Sequence, residues 1–209
     1  MPRHYTLSKR AQQLEETRRR IVEATMAVHG EKGILATTLR DIAFRADVAP
    51  STVLAHFPTL ESLVTACGRR TGETWPVPTS EIFARSGSLS QRVEQLVEAL
   101  FAYYEPMPLE LIERDREKLP IMDEFLTERE RAIHELIVEA LRPIGSPASA
   151  VATVQALTQF AVWKFLRSTG RSTSRAAATV TAVLNTWLER EASSSPLSRE
   201  PGRFPSKGA

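Results

Sequence analysis

Between Thr38 and Pro58 the chain has room for two short helices and a tight turn, and for little else. Thr38-Leu39-Arg40-Asp41 has the S/T-x-x-D/E form of a capping box, which starts a helix by pairing its first free amides with side chains. That helix should end near Ala46. Asp47-Val48-Ala49 then makes the turn, with Asp47 at the position that needs a positive φ. Pro50 suits the first position of the next helix, Ser51 to about Phe57, and Pro58 closes it. Two short helices meeting steeply through three or four residues form a helix-turn-helix. Ala43 is small where the second helix must cross, and Ile42, Val48 and Val53 supply a shared core. Ser51, Thr52, Ala55 and His56 are left facing outward, small and polar enough to enter a major groove.

The remaining sequence also reads as helix. No stretch alternates β-branched with polar residues between turn signals, and Gly and Pro fall mostly where helices should stop. A first helix is expected from about Glu15 to Lys32, with Ile21, Ala24, Thr25 and Val28 on one face and Gly33 as a left-handed cap. A fourth runs from Thr59 or Leu60 toward Thr74. Beyond the joint Trp75-Pro76-Val77-Pro78 comes an amphipathic helix over Ser90–Glu105, then a short one over about Leu109–Lys118 ended by Pro120. A long helix over Met122–Arg142 follows, and two alanine-rich helices over about Pro147–Ser168 and Ser172–Ala192. The last 17 residues hold five Ser, three Pro and two Gly, a composition that should stay disordered. The expected fold is all-α, with a basic flexible arm over 1–16, a helix-turn-helix domain over 17–66, a helical domain over 67–192 and a disordered tail over 193–209.

Charge is uneven. The net value is only +2, but residues 1–70 hold 11 Lys and Arg against 7 Asp and Glu. A basic front on a slightly acidic body points to a polyanion partner at the N-terminal end. One cysteine, Cys67, cannot form an internal disulfide, which fits a reduced compartment, and four scattered histidines give no zinc spacing. No apolar run approaches the roughly 18 residues of a membrane span, and the first 20 residues are too polar for a signal peptide.

The stretch from Arg20 to Ala66 resembles the DNA-binding domain of the TetR/AcrR family of transcriptional regulators. The likeness lies in order and spacing: a basic helix start, Glu31-Lys32-Gly33, Thr37-Thr38-Leu39-Arg40-Asp41-Ile42-Ala43, a turn, then Ser51-Thr52-Val53 and His56-Phe57-Pro58. It implies a three-helix DNA-binding head and a C-terminal helical body that binds a small-molecule effector and dimerises. It also implies a homodimer on double-stranded DNA operators with two-fold symmetry. On this resemblance Thr38, Arg40, Pro50, Ser51, Thr52, Ala55 and His56 form the DNA-contacting set. Arg3, Lys9, Arg10 and Arg18 form a basic arm suited to the minor groove. Four positions depart from the family's usual pattern: Asp47 replaces Gly, Leu54 replaces Tyr, Leu60 replaces Lys and His29 replaces Phe. Leu54 and Leu60 remove two phosphate contacts, which lowers non-specific affinity and flattens its salt dependence. His29 reads as a core histidine.

In the body, Phe101, Tyr104, Met122, Phe125, His134, Gln159 and Trp163 are the expected lining of an effector pocket, largely apolar with a few polar groups. The effector itself should be apolar or aromatic. Val151, Val154, Thr158, Val162, Val180, Val183, Leu184 and Trp187 are candidates for a dimer surface. Glu110, Glu113, Asp115 and Glu117 read as a solvated helix face, and Cys67 as an inert helix residue. Nucleophile elbow, phosphate loop and metal spacing are all missing, so no catalytic residue, metal or cofactor is expected and the chain is not read as an enzyme. The expected function is a ligand-responsive dimeric DNA-binding regulator, a cytoplasmic repressor without membrane contact. The alternative is a family relative with weakened operator binding that acts through a protein partner.

Overall fold

A computed structural model describes the backbone of residues 3–107, 109, 115, 116 and 118–194, and the side chains of that set apart from 3–8, 192 and 194. Its α-helices are α1 (Arg3–Lys32), α2 (Leu39–Ala46), α3 (Pro50–His56), α4 (Leu60–Thr74), α5 (Leu89–Tyr104), α6 (Pro120–Ala140), α7 (Ala148–Leu157), α8 (Phe160–Ser168) and α9 (Thr173–Ser194). Short 3-10 turns lie at Ser80–Phe83 and Arg142–Ile144. Among the described residues there is no strand. The chain packs as two units, residues 1–78 with 103–133, and residues 79–102 with 134–209.

In the first unit α1 packs on α2 and α4, and α2 on α3. Ile21, Val22 and Ala24 of α1 meet Ile42, Ala43 and Ala46 of α2, Val53 of α3, Phe57, and Leu63 and Cys67 of α4 in one core. Ile21 and Val53 are fully buried, and burying a side chain of that size stabilises by about 1.5–3 kcal/mol. Local chemistry sets the ends of these helices. Thr38 caps α2: its Oγ1 accepts from the Asp41 amide, and the Asp41 carboxylate accepts from the Thr38 amide at 2.8 Å. Asp47 sits at φ 52° and ψ 55°, and its amide donates to the carbonyls of Ala43 and Phe44. Pro50 opens α3, and Thr59 with Ser62 builds a second capping box at the start of α4.

In the second unit Val93, Leu96, Val97, Leu100 and Phe101 of α5 are all fully buried, as their helical spacing requires. Arg92 is buried beside them. Its guanidinium lies 4.5 Å over the Phe83 ring and donates to the Ala140 and Glu139 carbonyls and to the Glu139 carboxylate. A planar fork can stack and donate in several directions at once, which an ammonium cannot. Asn185 of α9 donates to Ser90 of α5 at 2.7 Å.

Several elements differ from the sequence reading. α1 begins at Arg3 instead of about Glu15, so most of the expected arm is helix. Pro120 opens α6 instead of only ending the helix before it, consistent with proline's tolerance of a first helical turn. The expected single helix over Pro147–Ser168 is two, α7 and α8, broken at Thr158 and Gln159. Thr158 Oγ1 donates to the Val154 carbonyl at 2.8 Å, and Gln159 is extended at ψ 152°. Thr158 at φ −100° and ψ 5°, followed by extended Gln159, interrupts the helical hydrogen-bond ladder there. Most of the expected short helix over Leu109–Lys118, and the tail beyond Ser194, lie outside the described residues. Of the dimer candidates, Val151, Val154, Thr158, Val180 and Leu184 are buried within the chain, whereas Val183 is exposed.

A left-handed aspartate at the helix-turn-helix corner stores strain that glycine lacks. Asp47→Gly should raise stability by about 0.5–1 kcal/mol, and Asp47→Val should lower it by at least as much, in urea unfolding followed by circular dichroism.

Candidate nucleic-acid interface and cavity

α3 shows which of its sides can meet a partner. Val53, and Phe57 just beyond the helix, are buried. Ser51, Leu54 and Ala55 are exposed, and Thr52 and His56 are half-buried. With about 100° per residue, Ala55 lies opposite Val53 and Phe57, and Ser51 lies beside it. Thr38, Arg40 and Pro50 are exposed as well. Arg40 makes no ion pair among the described residues, since Asp41 is taken by Lys32 at 2.5 Å and Arg45 by Glu31 at 2.5 Å. Hydrogen bonds from Lys32 and Thr38 hold the Asp41 carboxyl well below the usual carboxylate range. The motif carries an exposed cation on α2 and small, hydroxyl-bearing positions at the start of α3. That combination suits phosphate and base-edge contacts.

Two basic residues before this surface hold the motif together. Arg20 donates to the carbonyls of Ala46 at 2.9 Å and Asp47 at 3.2 Å, the last residue of α2 and the first of the turn. Arg18 donates to the His56 carbonyl at 3.2 Å and lies 4.3 Å over the Phe57 ring. Arg18, read from sequence as part of a DNA-binding arm, is thus engaged within the head. Lys9 and Arg10 are exposed on α1. A helix is too wide to lie along a minor groove as an extended arm does, so the arm geometry expected from sequence does not hold for these residues. The Arg3 side chain lies outside the described residues. No local signal announces the pairing of Arg18 with a carbonyl 38 residues away.

Behind the motif lies a cavity of about 980 Å³. Its walls come from α1 (Met26, Ala27, His29), Ile34, α4 (Val64, Cys67, Gly68), Trp75, Val77, Tyr103, Met107, Leu109 and α6 (Met122, Phe125, Leu126, Arg129). All of these residues belong to the first unit. Of the seven residues expected to line a pocket, Met122 and Phe125 do so. Phe101 and Tyr104 are buried and do not line it. His134 pairs with Gln155 at 3.0 Å, Gln159 starts α8, and Trp163 stacks near Phe160 at 5.4 Å. Gly68 of α4 faces Phe125 of α6. A Cβ there would stand 2.9 Å from the Phe125 ring, inside van der Waals contact.

Asp115 and His29 depart from their sequence reading or extend it. Asp115, read as part of a solvated face, is 3% exposed. Its carboxylate accepts from the amides of Ile34 at 2.8 Å and Leu35 at 3.2 Å, which satisfies two donors in the link between α1 and α2. His29 lines the cavity, and its Nε2 is buried without a hydrogen bond. Burial pushes its pKa down to about 4, against a weaker opposing pull from Asp115. Burial also pushes the Cys67 thiol up to about 12, so it stays protonated and unreactive. Among the described residues no group of His, Cys, Asp and Glu is placed to hold a metal, and no helix is long and apolar enough to cross a membrane.

Residues 21–67 match the family model for bacterial regulatory proteins, tetR family. The chain is 46% identical over 55 residues to the HTH-type transcriptional repressor KstR of Mycobacterium tuberculosis, covering 26% of this chain and 25% of that protein. It is 35% identical over 95 residues to KstR of Mycolicibacterium smegmatis, covering 45% of this chain and 46% of that protein. The match therefore spans less than half the length of these curated relatives. The fold matches a TetR-family transcriptional regulator from Streptomyces coelicolor with a TM-score of 0.64 at 14% identity, over 87% of this chain and 84% of that one. It also matches GusR of Salmonella enterica with a TM-score of 0.55 at 22% identity, over 83% and 96%.

The state of His29 has a consequence for stability. Above about pH 6.5 it is neutral in both folded and unfolded chains and contributes no pH dependence. As pH falls from 6.5 toward 4, the unfolded chain takes up a proton that the folded chain does not, so stability is lost through that window. The loss amounts to something on the order of 3 kcal/mol. His29→Phe should remove this component, giving a flatter decline of the urea midpoint between pH 7 and pH 4.5 than the parent protein shows.

Proposed function

We propose that this chain, whose N-terminal domain is that of the tetR family of bacterial regulatory proteins, is a dimeric, ligand-responsive DNA-binding repressor. The observation that carries the reading is the helix-turn-helix backed, within one unit, by a large apolar cavity whose walls include α1 and α4. Repression is supported by the two curated relatives, both named as repressors. Thr38, Arg40, Pro50, Ser51, Thr52, Ala55 and His56 make the operator contacts, with Lys9 and Arg10 adding backbone charge. An effector entering the cavity presses on α1, α4 and Phe125, and so on the packing that holds α2 and α3. It releases operator to the extent that it binds the off-operator state more tightly. Reversing a 99:1 occupancy requires about a 10⁴-fold preference.

Dimerisation is supported by surfaces that one chain leaves uncovered. α8 buries none of its residues, Phe165 is 68% exposed on it, and Val183 is 53% exposed on α9. Two such faces form a self-complementary contact about a two-fold axis. The dimer then presents its two α3 helices about 34 Å apart, one turn of B-DNA.

Titration against the DNA flanking its own gene, in rising salt with excess unrelated DNA, tests the reading. Saturable binding at two protomers or a small multiple of two per site is expected. Arg40→Ala should weaken it about tenfold or more and lower the salt slope by about one, without loss of folding. Val183→Glu should shift the protein from dimer to monomer in light scattering and weaken operator binding in parallel. Loss of every sequence preference at moderate salt would favour a second reading, a regulator that acts through a protein partner. The exposure of Leu54 and Leu60 on the expected DNA side is the observation that favours it.

A further inference from the structure

Apolar walls account for most of the cavity, but not for His29. His29 lines the cavity, and its Nε2 is buried and makes no hydrogen bond to any described residue. Leaving a buried ring nitrogen unpaired is costly, and native structures rarely do so without a reason. Resting on the reading of this cavity as an effector site, we propose that His29 is its polar anchor, and that the occupant is an uncharged apolar alcohol or phenol with its hydroxyl on Nε2.

The chemistry narrows the ligand in three steps. First, about 980 Å³ lined by Met26, Val64, Trp75, Met107, Met122 and Phe125 calls for a sizeable hydrocarbon body. Second, the imidazole is neutral at ordinary pH, because burial holds it down to about 4. It therefore offers a carboxylate no charge to pair with. Third, the free nitrogen of a neutral imidazole donates in one tautomer and accepts in the other. A hydroxyl can answer either, whereas a ketone can only accept. Of the charged groups facing the cavity, Glu23 is paired with Arg19 and Arg70, Arg129 is itself engaged, and Arg69 and Glu128 are exposed and of opposite sign, so none is an unpaired buried charge that selects an ionic ligand. Because His29 is on α1, a ligand held there touches the helix that also supports the turn between α2 and α3.

Two matched probe series test this on the full-length protein by calorimetry: phenanthrene, 9-phenanthrol and phenanthrene-9-carboxylate; dodecane, 1-dodecanol and dodecanoate. In at least one series the hydroxyl compound should bind about tenfold tighter than its hydrocarbon and than its carboxylate. His29→Phe should abolish the preference over the hydrocarbon, and His29→Gln, which can donate and accept, should restore part of it. If His29→Phe fails to fold, the parent protein and His29→Gln decide. Equal binding of alcohol and hydrocarbon overturns the proposal, as does a preference that survives His29→Phe, and both leave the effector cavity standing. Tightest binding by the carboxylates also overturns it. Binding by no member of either series overturns the effector cavity itself, and the anchor with it.

Discussion

Arg20 of α1 reaches across to the carbonyls of Ala46 and Asp47, and the helix-turn-helix depends on that contact to hold its turn against α1. A tight turn between two short helices leaves carbonyls without helical partners, and helices of eight and seven residues have little cooperativity of their own. The guanidinium answers both carbonyls at once. Arg18, two residues earlier, does the same for the carbonyl of His56, with its flat face against Phe57. The apolar core beneath includes Ile21 and Val53, while Arg20 holds the end of α2 with its turn and Arg18 holds the end of α3. α1 is therefore the element on which both the motif and the cavity wall depend.

What the sequence made legible was local. The Thr38 box, the left-handed Asp47, Pro50 at the start of α3 and the apolar stripe of α5 all follow from residue types within four or five positions of one another, and the structure has them. What stayed hidden was set by distance along the chain. Asp115 looks like one more acid in a charged run until the amides of Ile34 and Leu35 are seen to end on it. Arg18 looks like a free cation of a basic arm until His56 is found beside it. The break at Thr158 had no glycine or proline to mark it. The cavity was misplaced for the same reason: aromatic residues were gathered from the body alone, whereas α1 and α4 contribute Met26, His29 and Val64.

The position of the cavity also changes the kind of coupling a ligand could exert. In a body-borne pocket, a signal must cross from one packed unit to another before it reaches the motif. Here the lining residues all belong to the unit that contains α2 and α3. Gly68 lets α4 lie directly against the Phe125 ring, so any side chain there would displace that ring. Close-packed interiors respond to added volume by shifting elements, not by compressing.

The unbroken run of α1 from Arg3 to Lys32 bears on how its front could tolerate change. A flexible arm is indifferent to its length: one residue more or less only alters its reach. A helix has phase. Each residue inserted between Arg10 and Arg18 would turn Lys9 and Arg10 by about 100° around the axis and move them about 1.5 Å along it. Insertions of one or two residues would thus point those charges away from whatever they face, while three or four would bring them nearly back. Length variation in this segment should be spaced in whole turns, a constraint no disordered leader of the same composition would impose.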